Sequence, residues 1–166
     1  MQNQGVKYGI LGGTGIILYM LLFFIIDERI MLSPWVFWGG MIVYITAMFA
    51  AIFASKKARG GEITAKEGMK EAFTCFLIAN LCFYTFYMVL FNWISPELAD
   101  LQKDMSLELL NSTESFYPPE KFVEMKEKME KADFQVTLGK TLSGLAQGAI
   151  GGFILSFLMG RLIRNK

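Results

Sequence analysis

Four long apolar runs alternate with polar segments along the chain. The runs cover about residues 8–26, 35–54, 72–94 and 136–163, and the shortest of them has 19 residues. With a rise of 1.5 Å per residue, 19 helical residues measure about 28 Å, which is enough to cross the hydrocarbon core of a bilayer. The pattern predicts an all-α, polytopic membrane protein with four transmembrane helices, in a single membrane domain over residues 1–166.

The largest polar segment, residues 95–135, separates the third and fourth runs. It opens with Ser95-Pro96-Glu97, which is typical of a helix start. Serine is favoured at the N-cap position of a helix, and proline is favoured at the first helical position. Apolar residues then recur at i+3 or i+4 on both sides of a break at residues 111–119. The pattern predicts an external amphipathic helical hairpin that covers the mouth of the bundle or lies in the interface.

The first run could also be a cleaved signal peptide. Lys7 is the one basic residue before it, and Asp27-Glu28-Arg29 follows where a small-residue cleavage site would stand. We therefore predict an uncleaved spanning helix. In the basic loop before the third run, Thr64 and Glu67 have the spacing of a capping box and predict the start of a helix.

Glycines line two of the predicted spans at four-residue spacing. They are the pair Gly9 and Gly13 in the first span, and the three residues Gly144, Gly148 and Gly152 in the last. Small residues at this spacing allow two helices in a membrane to approach closely. The first span or a neighbouring subunit is the expected partner of the last-span glycines. The register, however, leaves Gly144 facing the second or third span, or another chain.

Two amides lie near the middle of predicted spans. A polar side chain is unfavourable in hydrocarbon unless it finds a hydrogen-bond partner inside the bundle. Asn80 and Gln147 are expected at similar depths and are predicted to form an intramembrane polar pair. Lys140 lies at the outer boundary, where its long side chain is expected to reach the interface.

Composition supports a membrane protein and removes several kinds of site. Hydrophobic residues make up 54% of the chain, the mean hydropathy is +0.40, and there is no histidine. Cys75 and Cys82 are expected to pack within one helix, and the basic loop lacks a phosphate-binding glycine motif. We predict no catalytic residues, metal ligands or cofactor. The net charge of +1 gives no indication of nucleic-acid binding.

Charge is distributed unequally between the two sides that four spans define. The side with both termini carries nine basic and three acidic residues, whereas the other side carries seven basic and twelve acidic residues. Positive charge is retained in the cytoplasm during insertion. Both termini are therefore predicted to be cytoplasmic, with residues 95–135 outside.

Several segments together resemble a known family. They are the glycine-rich first span, the basic loop with Gly60-Gly61, the third span ending in Ile94-Ser95-Pro96-Glu97, and the glycine-rich last span that ends in arginine. From about Gly5 to Arg164, the chain resembles small four-span proteins, found mainly in Bacteroidetes, that form a domain of unknown function. The resemblance implies a bacterial inner membrane and brings no functional residues.

Three functions are compatible with these features. A non-enzymatic accessory or assembly subunit, with the lipid bilayer and another copy or membrane protein as partners, agrees best with glycine-lined helices. A small transporter or channel is the alternative, but we expect no acidic residue within a span to carry a cation or proton. An enzyme acting on lipid would have to rely on carboxylates such as Asp100 and Asp104.

Overall fold

The computed structural model describes residues 3–163, and within that range the chain forms helices and no strand. The helices are α1 (Gln4–Ile26), α2 (Glu28–Met31), α3 (Pro34–Ala58), α4 (Ala65–Val89), α5 (Leu98–Ser112), α6 (Pro119–Lys131) and α7 (Leu138–Ile163). A π-helical turn, Leu90–Ile94, extends α4, and a 3₁₀ turn, Glu114–Phe116, follows α5. Four helices, α1, α3, α7 and α4 with its π-helical turn, are long and apolar enough to cross a membrane. The predicted all-α architecture with four candidate membrane spans is confirmed.

The third span begins earlier than its apolar run, because a capping box starts α4 at Ala65. The Thr64 hydroxyl accepts the Glu67 amide at 3.3 Å, and the Glu67 carboxylate accepts the Thr64 amide at 2.9 Å. This confirms the predicted capping box. It also extends the helix that contains the third span back through Glu67 and Glu71, which precede the apolar run 72–94. The absence of acidic residues within the membrane-crossing part of a span stays a prediction.

Helix α4 is the central element of the bundle. Helix α1 packs along one of its faces, which carries Cys75, Ile78 and Cys82, while α7 packs along Phe76, Asn80 and Tyr84. At 100° per residue these two sets lie on roughly opposite sides of α4. Helix α3 contacts both α1 and α4. Consequently α1 and α7 are separated by α4 over most of their length.

Two clusters of buried apolar side chains hold the bundle together. One lies between α3, α4 and α7 and includes Met48, Ile52, Cys75 and Met159. The other joins the opposite end of the bundle to α5 through residues that include Met20, Met31, Leu90 and Leu98. Both cysteines are free thiols, and Cys75 is fully buried in the first of these clusters.

Helices α5 and α6 contact each other, and α5 also contacts α2. Leu110 of α5 and Phe122 of α6 are buried. Helix α6 ends at Lys131 and residues 132–137 have no regular secondary structure, so Val136 belongs neither to α6 nor to α7, which begins at Leu138. The location of α5 and α6 outside a membrane stays a prediction.

Candidate functional site

The glycines of α7 form a contact surface for α4. A Cβ atom at Gly144 would lie 2.6 Å from the Tyr84 hydroxyl, one at Gly148 would lie 2.7 Å from Nδ2 of Asn80, and one at Gly152 would overlap the Phe76 ring. The first span, α1, is not the partner of this ridge, whereas the third span, one of the alternatives given for Gly144, does contact it. Close approach requires small residues on only one of two helices, and here α4 contributes large side chains that fill the space left by the glycines of α7.

The glycines of α1 face the other side of α4. A Cβ atom at Gly9 would lie 2.8 Å from Cβ of Ile78, and one at Gly13 would lie 2.7 Å from Cβ of Cys82. On the side of α3, a Cβ atom at Gly12 would lie 2.7 Å from Cβ of Ala47. The two predicted groups of glycines therefore lie against one common helix, and they do not meet each other.

Asn80 and Gln147 do not form the predicted pair. Asn80 is 5% exposed and points at Gly148, and its Nδ2 atom has no hydrogen-bond partner among residues 3–163. Gln147 is exposed, and its Nε2 atom donates to Oγ of Ser143 at 3.2 Å. The two amides match in depth, but consecutive residues on a helix differ by 100° in direction. Because Gly148 faces α4, Gln147 faces away from it.

A polar strip therefore lies on the outward surface of α7. Ser143, Gln147 and Gly151 are all exposed and share this side of the helix with Ile154. A Cβ atom at Gly151 would meet nothing within 4 Å. Gln147 lies nine residues beyond Leu138, or about 14 Å along the helix, so its amide falls within the span rather than at its end.

Glu71 is a buried carboxylate that sequence analysis missed. Its side chain is 8% exposed, and Oε2 accepts the backbone amide of Gly5 at 2.6 Å. The contact satisfies one of the free amide groups that every helix leaves in its first turn. Glu71 was assigned to the polar loop. The helical spacing of Glu71 to Cys75, Ile78 and Cys82 places all four residues on one face of α4. This spacing could have indicated that Glu71 is buried.

Lys140 holds the irregular segment before α7, residues 132–137, in place. Its ammonium donates to the Asp133 carboxylate at 3.0 Å and to the backbone carbonyls of Asp133 and Gln135 at 2.7 and 2.9 Å. The backbone amide of Gln135 and the Lys140 ammonium both stabilise the carboxylate form of Asp133, so its pKa lies below the usual range. Lys140 therefore closes a local turn in addition to lying at the end of the span.

Metal-ligating side chains do not cluster among the described residues. Within residues 3–163, no three His, Cys, Asp or Glu side chains lie together in a group that could hold a metal ion. Asp100 and Asp104 are exposed on α5. The buried Tyr44 hydroxyl, like Nδ2 of Asn80, has no hydrogen-bond partner in this part of the chain.

Comparison with known proteins gives a family but no activity. Neither the proteins of curated function nor the solved structures include a match to this chain. One family model matches residues 7–165, which is nearly the whole length. The chain therefore belongs to the family described as "Protein of unknown function (DUF4199)".

Proposed function

We propose that this protein is a non-enzymatic accessory or assembly subunit of a bacterial inner membrane, with both termini in the cytoplasm. It associates with another transmembrane helix through the outward strip of α7 formed by Ser143, Gln147 and Gly151. The exposed amide of Gln147 within the span carries this proposal. The family and the four long apolar helices support the membrane part of it.

The environment of Gln147 is the reason to expect a partner helix. Its one side-chain hydrogen bond, to Ser143, uses one of two amide hydrogens, and the carbonyl oxygen accepts no hydrogen bond from another side chain in residues 3–163. In hydrocarbon these groups have no water to bond with. Gln, Ser and Gly are residues that membrane helices use to hydrogen-bond and pack against one another.

The internal glycine ridges do not supply this partner surface. Gly144, Gly148 and Gly152 are already in contact with α4, and Gly9 and Gly13 are in contact with its other face. By contrast, Gly151 has open space next to it. Gly151 therefore offers a point on α7 at which a second helix can approach closely.

The proposal is tested by replacing Gln147 with leucine and measuring association in native membranes. A photo-reactive amino acid at Gly151 should cross-link to a protein, and Gln147→Leu should reduce the yield of that product. Loss of one interhelical hydrogen bond between membrane helices weakens association by about 0.6–1.7 kcal/mol, or roughly threefold to twentyfold.

Thr14, an exposed polar residue within the span of α1, provides the matched control. A photo-reactive group at this position should cross-link mainly to lipid, and Thr14→Leu should leave the Gly151 product unchanged. Cross-linking of Gly151 to lipid alone would contradict the proposal.

A further inference from the structure

A groove of about 520 Å³ lies between α5 and the connection from α1 to α3. Leu32, Pro34, Met105 and Leu109 contribute apolar surface to it, and Arg29 and Glu108 contribute opposite charges. Gln102 and Ser112 mark its extent along one side of α5, a distance of about 15 Å at 1.5 Å per residue. The groove thus combines an apolar surface with one cation and one anion.

The two charges are accessible to a ligand. Nη2 of Arg29 lies 2.7 Å from Oε1 of Glu108, and the two side chains are 52% and 64% exposed. Ion pairs this exposed contribute little to stability, because water solvates both charges well. A ligand with charges of both signs can therefore separate them at little energetic cost and replace one ion pair by two.

The groove lies where a membrane boundary is expected. Residues 27–33 connect two candidate spans, and both Trp35 and Trp38 follow directly with exposed fractions of 83% and 67%. Exposed tryptophans at the end of a span are typical of the headgroup region of a bilayer. An amphipathic ligand at this position comes from the membrane, since its apolar part can remain among the acyl chains.

We propose that this groove binds a zwitterionic phospholipid whose headgroup carries a primary ammonium. The phosphate contacts the guanidinium of Arg29, the ammonium contacts the carboxylate of Glu108, and the glycerol region lies on Leu32, Met105 and Leu109. A guanidinium binds phosphate through charge-assisted hydrogen bonds, and a primary ammonium donates such bonds to a carboxylate. A choline headgroup has no N–H to donate, and a glycerol headgroup has no positive charge for Glu108.

The test is a lipid titration of the detergent-purified full-length protein, with bound lipid counted by native mass spectrometry. Phosphatidylethanolamine should bind at least fivefold more tightly than phosphatidylcholine or phosphatidylglycerol of the same acyl chains. Arg29→Gln should weaken its binding by roughly tenfold, as expected for the loss of a charge-assisted hydrogen bond. Glu108→Gln should abolish the preference for ethanolamine over choline.

The exposed pair Glu124 and Lys128 on α6 provides the matched control, because its charges lie 2.6 Å apart but do not line the groove. Glu124→Gln and Lys128→Gln should leave the lipid preference unchanged. Equal binding of all three lipids, or the same loss in the control variants, would overturn the proposal. Competition by free phosphoethanolamine at the concentration of the lipid would also overturn it, since the ligand would then be a soluble zwitterion.

Discussion

The glycines of α7 differ in what lies beside them, and this difference decides how each responds to substitution. A Cβ atom at Gly160 would lie 2.6 Å from the carbonyl oxygen of Ala65 and 2.7 Å from the amide nitrogen of Met69. These are backbone atoms at the start of α4, and they cannot turn aside as a side chain can. At Gly151, by contrast, there is open space.

We predict opposite effects of alanine at these two positions. Gly160→Ala should lower the free energy of unfolding by about 1–3 kcal/mol, the usual range for overpacking a tight contact. Gly151→Ala should leave it unchanged or raise it by up to about 1 kcal/mol, because alanine favours a helix more than glycine does. Unfolding of both variants in detergent, followed by circular dichroism, measures the difference. Equal destabilisation would show that the Gly160 contact is not the cause.

The sequence shows which helical positions are small or polar. It does not show which neighbouring helix each of these positions faces. Gly148 and Gln147 are adjacent, and the sequence alone does not say which of them points into the bundle. The answer depends on the rotation of α7 against α4, which Tyr84, Asn80 and Phe76 determine by packing against the glycines. Glu71 was missed for a related reason, because its burial depends on where α1 begins.

The connection between α6 and α7 depends on charge as well as on packing. Asp133 accepts the backbone amide of Gln135 at 2.9 Å and the Lys140 ammonium at 3.0 Å. Both contacts require the carboxylate form, and they lower the pKa of Asp133. Hydrophobic periodicity extended both neighbouring helices to Val136, since it contains no information about such a polar turn.

We predict that acid loosens this connection before it unfolds the bundle. The lowered pKa of Asp133 means that its stabilising effect is complete above the pKa of the unfolded chain, near 4, and is lost as the pH falls through the lower folded value. The protection of the Gln135 amide, measured as its hydrogen exchange rate relative to that of an unstructured peptide at the same pH, should therefore fall below about pH 4. Asp133→Asn should exchange faster at neutral pH and lose this pH dependence. An unchanged acid response in Asp133→Asn would assign the effect to another group.

The bundle as a whole is organised around α4, although α1 and α7 carry the conspicuous glycines. The four spans and their order could be predicted because each apolar run is long enough to cross a bilayer without help from its neighbours. The arrangement of the spans could not be predicted, because it depends on which pairs of helices approach closely. Four spans place the start of α1 and the end of α7 on the same side of a membrane.

The orientation of the whole molecule can be tested with its own cysteines as the background. The sequence predicts nine basic and three acidic residues on the side with both termini, and two of these acids, Glu67 and Glu71, contact Arg59 and the backbone amide of Gly5. The remaining positive charge should keep this side in the cytoplasm.

Cys75 and Cys82 lie within a span, so a membrane-impermeant maleimide should not label the wild type. In intact spheroplasts the reagent should label Lys121→Cys on α6. Lys57→Cys at the end of α3 should react only after the membrane is permeabilised, and the reverse pattern would invert the topology.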